Sequence, residues 1–170
     1  MKILQVLPIL LTGGAAVFFD LRTGKIPNEL ILAALAAGAG WQIYAGGLPG
    51  ILNFAGGVGI PVILLGIFFY FRMMGAGDLK LLGAVGGFLG IRRILPCMLW
   101  TFLAAGVYAG ALVLYRRNLK ERLLYFCTYL WNYVHTREWN PYLQVDCVDS
   151  HLYFSIPVLI SICFYVGGIY

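Results

Sequence analysis

A chain of 170 residues that is 61% hydrophobic and only 11% charged, with a mean hydropathy of +0.86, has too little polar surface to enclose a water-soluble core. Ordinary globular chains carry about 25% charged residues, so most cytosolic enzymes, disordered segments and secreted disulfide scaffolds are excluded, and an integral membrane protein is expected. The net charge of +5 comes from twelve Lys and Arg set between apolar runs, a distribution that reports membrane topology rather than a nucleic-acid surface.

A spanning helix needs roughly 20 mostly apolar residues. The first apolar run covers 3–19. A signal peptide is the alternative there, but the run continues past its small residues Gly13-Gly14-Ala15-Ala16. The next uncharged stretch, 30–71, is long enough for two helices, and Gly46-Gly47-Leu48-Pro49-Gly50 divides it into spans over 30–45 and 49–71. The apolar run 81–91 is too short to cross alone at about 1.5 Å per residue. Extended back to 75–91, it draws Asp78 and Lys80 to the membrane edge. Spans over 94–115 and 152–170 complete a single polytopic domain over 1–170. The expected fold is an all-α integral membrane bundle of about six transmembrane helices.

The loops orient this bundle. Arg22, Lys25, Arg72, Lys80, Arg116, Arg117, Lys120, Arg122 and Arg137 fall on one side, against Lys2, Arg92 and Arg93 on the other. The positive-inside rule puts the first group in the cytoplasm. The chain is expected to cross its membrane several times with that side facing the cytoplasm. The connection over 116–150 opens basic and continues with Tyr125, Phe126, Tyr129, Trp131 and Tyr133. It reads as an interfacial helix or as a packing element over the bundle.

Charge at membrane depth is costly, so each acid near a span is a functional candidate. Glu121 and Glu138 belong to polar loops. Asp146 and Asp149 flank Cys147, yet with His151 they supply too few ligands for a metal, and His135 reads as interfacial. The four cysteines, Cys97, Cys127, Cys147 and Cys163, form no C-x-x-C pair. They read as small packing residues, and neither metal nor cofactor is expected. Asp20 ends the first apolar run and Asp78 opens the fourth. Both fall at the cytoplasmic edge on different helices. Two carboxylates brought close cannot both ionise cheaply, and such a pair divides acid and base work across one water. Gly75 and Gly77 before Asp78 allow backbone conformations and close approach that a Cβ would block, as beside an extended substrate strand; the plain alternative is a loop-to-helix junction.

The run Asp20-Leu21-Arg22-Thr23-Gly24-Lys25-Ile26-Pro27-Asn28 resembles the first motif of type IV prepilin peptidases, and Gly75-Ala76-Gly77-Asp78-Leu79-Lys80-Leu81 resembles their second, G-x-G-D-x-K-L. The two arrive in order at the ends of spans, and the likeness covers about 3–115. It implies a G-x-G-D aspartic endopeptidase with an active site at the cytoplasmic membrane face. Such an enzyme cuts the basic leaders of prepilins, pseudopilins or related type II secretion subunits just after a glycine. Asp20 and Asp78 would be its catalytic dyad, and Ile26, Pro27 and Asn28 would shape the loop after the first helix. Proline fixes φ and biases Ile26 away from helix, while Asn28 can cap the helix that follows. Lys80 would orient an aspartate, meet a substrate carboxylate or anchor the interface. Bifunctional members also carry an N-terminal cytoplasmic segment with paired C-x-x-C motifs. This chain opens on its first span and has none, so peptidase without N-methyltransferase activity is expected.

Two other readings compete. A transporter needs broken helices and ionisable groups near the midplane. Gly56-Gly57-Val58-Gly59 with Pro61 is such a break, but no acid or base lies near it, and close helix packing explains it as well. A noncatalytic assembly factor of a pilus or secretion system would keep the fold. Presenilin-like proteases share the G-x-G-D string, but there the partner aspartate typically follows tyrosine, whereas Phe19 precedes Asp20.

Overall fold

The computed structural model describes residues 2–71, 74–115 and 153–169, in five helices: α1 (Lys2–Thr23), α2 (Asn28–Tyr70), α3 (Ala76–Leu89), α4 (Ile91–Tyr115) and α5 (Ser155–Val166). No strand occurs among the described residues. The chain forms two units, Met1–Ala105 with Tyr153–Tyr170, and Gly106–Leu152. Of the second, the described residues are 106–115, the last turns of α4, with Val107 and Tyr115 exposed. The aromatic connection over 116–150, with Glu121, His135, Glu138, Asp146 and Asp149, lies outside the described residues.

Three helices contain segments long and apolar enough to cross a membrane: Val6–Thr23, Asn28–Tyr70 and Ile91–Leu112. Their outward faces carry Leu7, Leu11, Ile63 and Leu99, all well exposed. A patch of that kind is unfavourable in water and suits lipid. Polar groups lie inside. Thr12, Gln42, Thr101, Ser155 and Ser161 are buried, and no buried side-chain oxygen or nitrogen among the described residues lacks a hydrogen-bond partner. With no water in the bilayer core, that satisfaction must come from the protein.

The expected break at 46–50 is a single residue. α2 is helical throughout except at Gly47, where φ is 59° and ψ is −138°, a region L side chains rarely enter. A Cβ on Gly50 would collide with the Gln42 carbonyl. In a straight helix those residues would be about 12 Å apart, so the chain bends sharply at Gly47 and α2 has two arms. By contrast, the glycines at 56–59 and Pro61 leave the second arm helical, so the break that a transporter would use is not there.

α3 is the centre of its unit. Every residue from 81 to 90 is buried, and both arms of α2 lie against it. A Cβ on Gly38 would stand 3.3 Å from the Gly87 carbonyl carbon. On the other arm, a Cβ on Gly57 would strike the Gly86 carbonyl, and one on Gly86 the Gly57 carbonyl. Backbones in such contact gain dispersion energy over their whole length, as small-residue seams do in membranes. The Gln42 side chain donates to the carbonyls of Phe88 (3.1 Å) and Gly87 (3.4 Å), near the C-terminal end of α3. Across from this seam, α5 lies on α1 and α4. Ser161 donates to the Cys97 carbonyl at 2.8 Å, and Trp100 meets Phe164 edge to face. Cys97 is a buried packing residue, as expected, while Cys163 is exposed.

Candidate active site

Four helix ends meet at one end of the bundle. α1 stops just beyond Asp20, because Gly24 takes a φ of 64° and its amide donates to the Asp20 carbonyl at 2.9 Å. That is the single-bond glycine stop of a helix C-terminus. Residues 24–27 then leave the helix, and Pro27, with φ −60° and ψ 137°, starts α2. The expected proline effect on Ile26 is present, since Ile26 is not helical.

α3 begins at Gly75, whose φ of −71° and ψ of 146° any residue can adopt, and Gly77 is helical. Neither glycine therefore serves through special backbone freedom, contrary to expectation. What they provide is room. A Cβ on Gly75 would press to 3.1 Å from Asp78 Oδ2, and one on Gly77 would touch Ile26 at 3.8 Å. Asp78, third in the helix, reaches back to accept a hydrogen bond from the Gly75 amide. This is one half of a capping box, in which a side chain satisfies a free amide of the first turn.

The fold brings the two aspartate motifs together through three links. The carboxylates of Asp20 and Asp78 lie close enough to act on each other electrostatically. Ile26 lies on Gly77. Lys80 Nζ donates to Asn28 Oδ1 at 2.9 Å. That last bond corrects the expected cap. The N-cap position belongs to Pro27 and no side chain caps α2, so the Asn28 amide oxygen is spent across helices. Lys80 ties the start of α3 to the start of α2 through this amide.

Asp20 is 9% exposed and accepts a 2.6 Å hydrogen bond at Oδ2 from the hydroxyl of Ser155, the first residue of α5. The sequence reading did not single out Ser155. A serine opening an apolar run usually signals a local helix cap, and nothing in its spacing pairs it with Asp20. Among the described residues no group of three or more His, Cys, Asp and Glu is placed to hold a metal. The site holds two carboxylates within electrostatic reach of each other, one buried and one half-buried, each accepting a hydrogen bond. Two carboxylates so placed can divide acid and base work across one water.

Comparison with known proteins bears on which reaction. No solved structure matches this chain. Two curated relatives from Aeromonas salmonicida, one of them from strain A449, are each called prepilin leader peptidase/N-methyltransferase. They are 27% identical over 122 residues, covering 68% of this chain and 42% of the relative. The chain thus spans about two fifths of the length of the relatives it matches. The model of the type IV leader peptidase family matches residues 6–110, taking in both aspartate motifs and most of the chain. The chain belongs to the type IV leader peptidase family.

Proposed function

We propose that this protein is a membrane-embedded aspartic endopeptidase that removes the leader peptides of type IV prepilins, pseudopilins or related secretion subunits. Asp20 and Asp78 are its acid and base. The observation that carries the reading is the approach of these two carboxylates across the junction of α1 and α3, in a chain of the leader peptidase family. One carboxylate takes a proton from water as the water attacks the scissile carbonyl. The other supplies a proton to the amine that leaves. The titration belongs to the pair, and so does the assignment of roles.

In this reading the two arms of α2 cross separately and α3 and α5 complete six spans. The excess of Lys and Arg in the loops on the aspartate side supports a site at the cytoplasmic face of the inner membrane, where the basic leader of a prepilin would be presented. Gly75, Gly77, Ile26, Pro27, Asn28 and Lys80 shape the floor beside the aspartates, and no metal or cofactor takes part. The matched relatives are named for two activities, and the peptidase step is the one the two aspartate motifs support.

Leader cleavage in liposomes, read by mass, tests this. Wild-type protein should cut a type IV prepilin after the leader glycine and leave an unmethylated amine. Folded, inserted Asp20→Asn and Asp78→Asn variants should each lose the reaction by about a thousandfold or more, the scale set by losing an essential acid or base. Activity surviving either substitution overturns the mechanism. No cleavage across a panel of pilins and pseudopilins favours the noncatalytic assembly reading.

A further inference from the structure

We propose that Ser155 is a positioning residue for Asp20, so that the last helix, far from both aspartate motifs in sequence, sets the geometry of the catalytic pair. The inference rests on the peptidase reading above. Three observations carry it. First, the Ser155 hydroxyl donates to Asp20 Oδ2 at 2.6 Å, within the range of hydroxyl-to-carboxylate bonds, and Ser155 is fully buried. Second, this hydroxyl stands in the first turn of α5, where serine ordinarily bonds its own backbone. Here no side chain caps α5, and the hydroxyl is directed across to another helix.

Third, the pairing follows from how α5 lies on α1. A Cβ on Gly13 would approach Ile162 Cδ1 to 2.9 Å and Leu159 Cδ1 to 3.0 Å, so α5 sits directly on that glycine. From Gly13 to Asp20 is about two helical turns along α1, and from Ile162 back to Ser155 is the same distance along α5. Antiparallel helices in register at Gly13 and Ile162 must therefore meet again at Asp20 and Ser155. The contact is a property of the helix pair rather than of one side-chain rotamer.

The consequence is chemical. Oδ2 is occupied by the hydroxyl. Among the described residues no donor binds Oδ1 and no fully buried side-chain oxygen is left unpaired, so Oδ1 is the oxygen of Asp20 that is not sealed in. A water between the two aspartates therefore meets Asp20 at Oδ1, with the carboxylate plane held by Ser155. A misplaced catalytic group costs rate far more than affinity.

The test is steady-state leader cleavage by the full chain in liposomes, with the folded state followed by thermal unfolding. Ser155→Ala should lower kcat about ten- to a hundredfold while KM stays within about twofold. Ser155→Thr, which keeps the hydroxyl on the same carbon, should recover most of that rate. Should the alanine variant not fold, Ser155→Cys keeps the volume with only a weak donor and should show the same split. A folded alanine or cysteine variant with wild-type kcat overturns the positioning role and leaves the peptidase reading standing. So does a loss confined to KM. Wild-type protein that cleaves no pilin overturns the parent reading, and the role of Ser155 falls with it.

Discussion

The seam between α2 and α3 and the end of the bundle that holds the aspartates are built on opposite principles. The seam is backbone against backbone, closed by Gly57 and Gly86, with α3 buried over its length from 81 to 90. The aspartate end is joined by a few directional bonds, Ser155 to Asp20, Lys80 to Asn28, and Gly75 to Asp78. The first region holds by excluded volume, which tolerates no added atom where a carbonyl is the neighbour. The second holds by polar geometry, which can lose a bond and stay folded while its chemistry changes. The glycine seam and the aspartates thereby fall toward different ends of the same helix, α3.

The seam should break hardest. Gly86→Leu drives a side chain into the Gly57 carbonyl, and the clash is relieved only if α2 and α3 move apart. A loss of about 3 kcal/mol or more is expected, at the upper end of overpacking costs, read as a fall in unfolding midpoint in detergent. The control is Gly59→Ala, whose Cβ would meet nothing within 4 Å. It should be neutral or gain up to about 1 kcal/mol from helix propensity.

Next comes Gln42→Leu, which strips the donor from the Gly87 and Phe88 carbonyls. Losing a buried donor to these carbonyls costs about 1–3 kcal/mol, and the same unfolding measurement should show it without a change in KM. At the aspartate end the balance reverses. Gly75→Ala should leave the unfolding midpoint nearly in place yet displace the Asp78 carboxylate, lowering kcat about tenfold, since small misplacements of reacting groups are expensive. The smallest effect is expected of Asn28→Ala. Its bond to Lys80 is exposed, so its stability cost should stay within about 1 kcal/mol. A loss larger than that of Gln42→Leu would show that the aspartate end is structural after all, and would blur the contrast.

The class of the protein and its two aspartate motifs could be read from the residues because those signals are local. Apolar run length reports the membrane. The glycines at 46–50 report a break, which falls at Gly47, and Ile26-Pro27 reports a non-helical step. Asp20 and Asp78 stand out simply as acids at the ends of apolar runs. A cap at Asn28 is expected on equally local grounds. The structure differs, because Pro27 holds the N-cap place and the Asn28 amide accepts from Lys80 across the bundle. Of the two roles expected for the glycines of the second motif, the structure shows the close approach a Cβ would block and not the special backbone conformation.

The sequence by itself determined the apolar helices, their sharpest bend and the two carboxylates, since periodicity, turn chemistry and the cost of charge in lipid act over a few residues. Only the tertiary structure decided that Ser155 holds Asp20, that Gln42 closes the end of α3, and that Lys80 binds Asn28. Each is a pairing between distant positions, and such pairings follow from which helix faces are flat enough to touch, at Gly13 against α5 and at Gly57 against Gly86. Helix contact of that kind depends on the shapes of both partners at once, and no spacing within one stretch of chain encodes it.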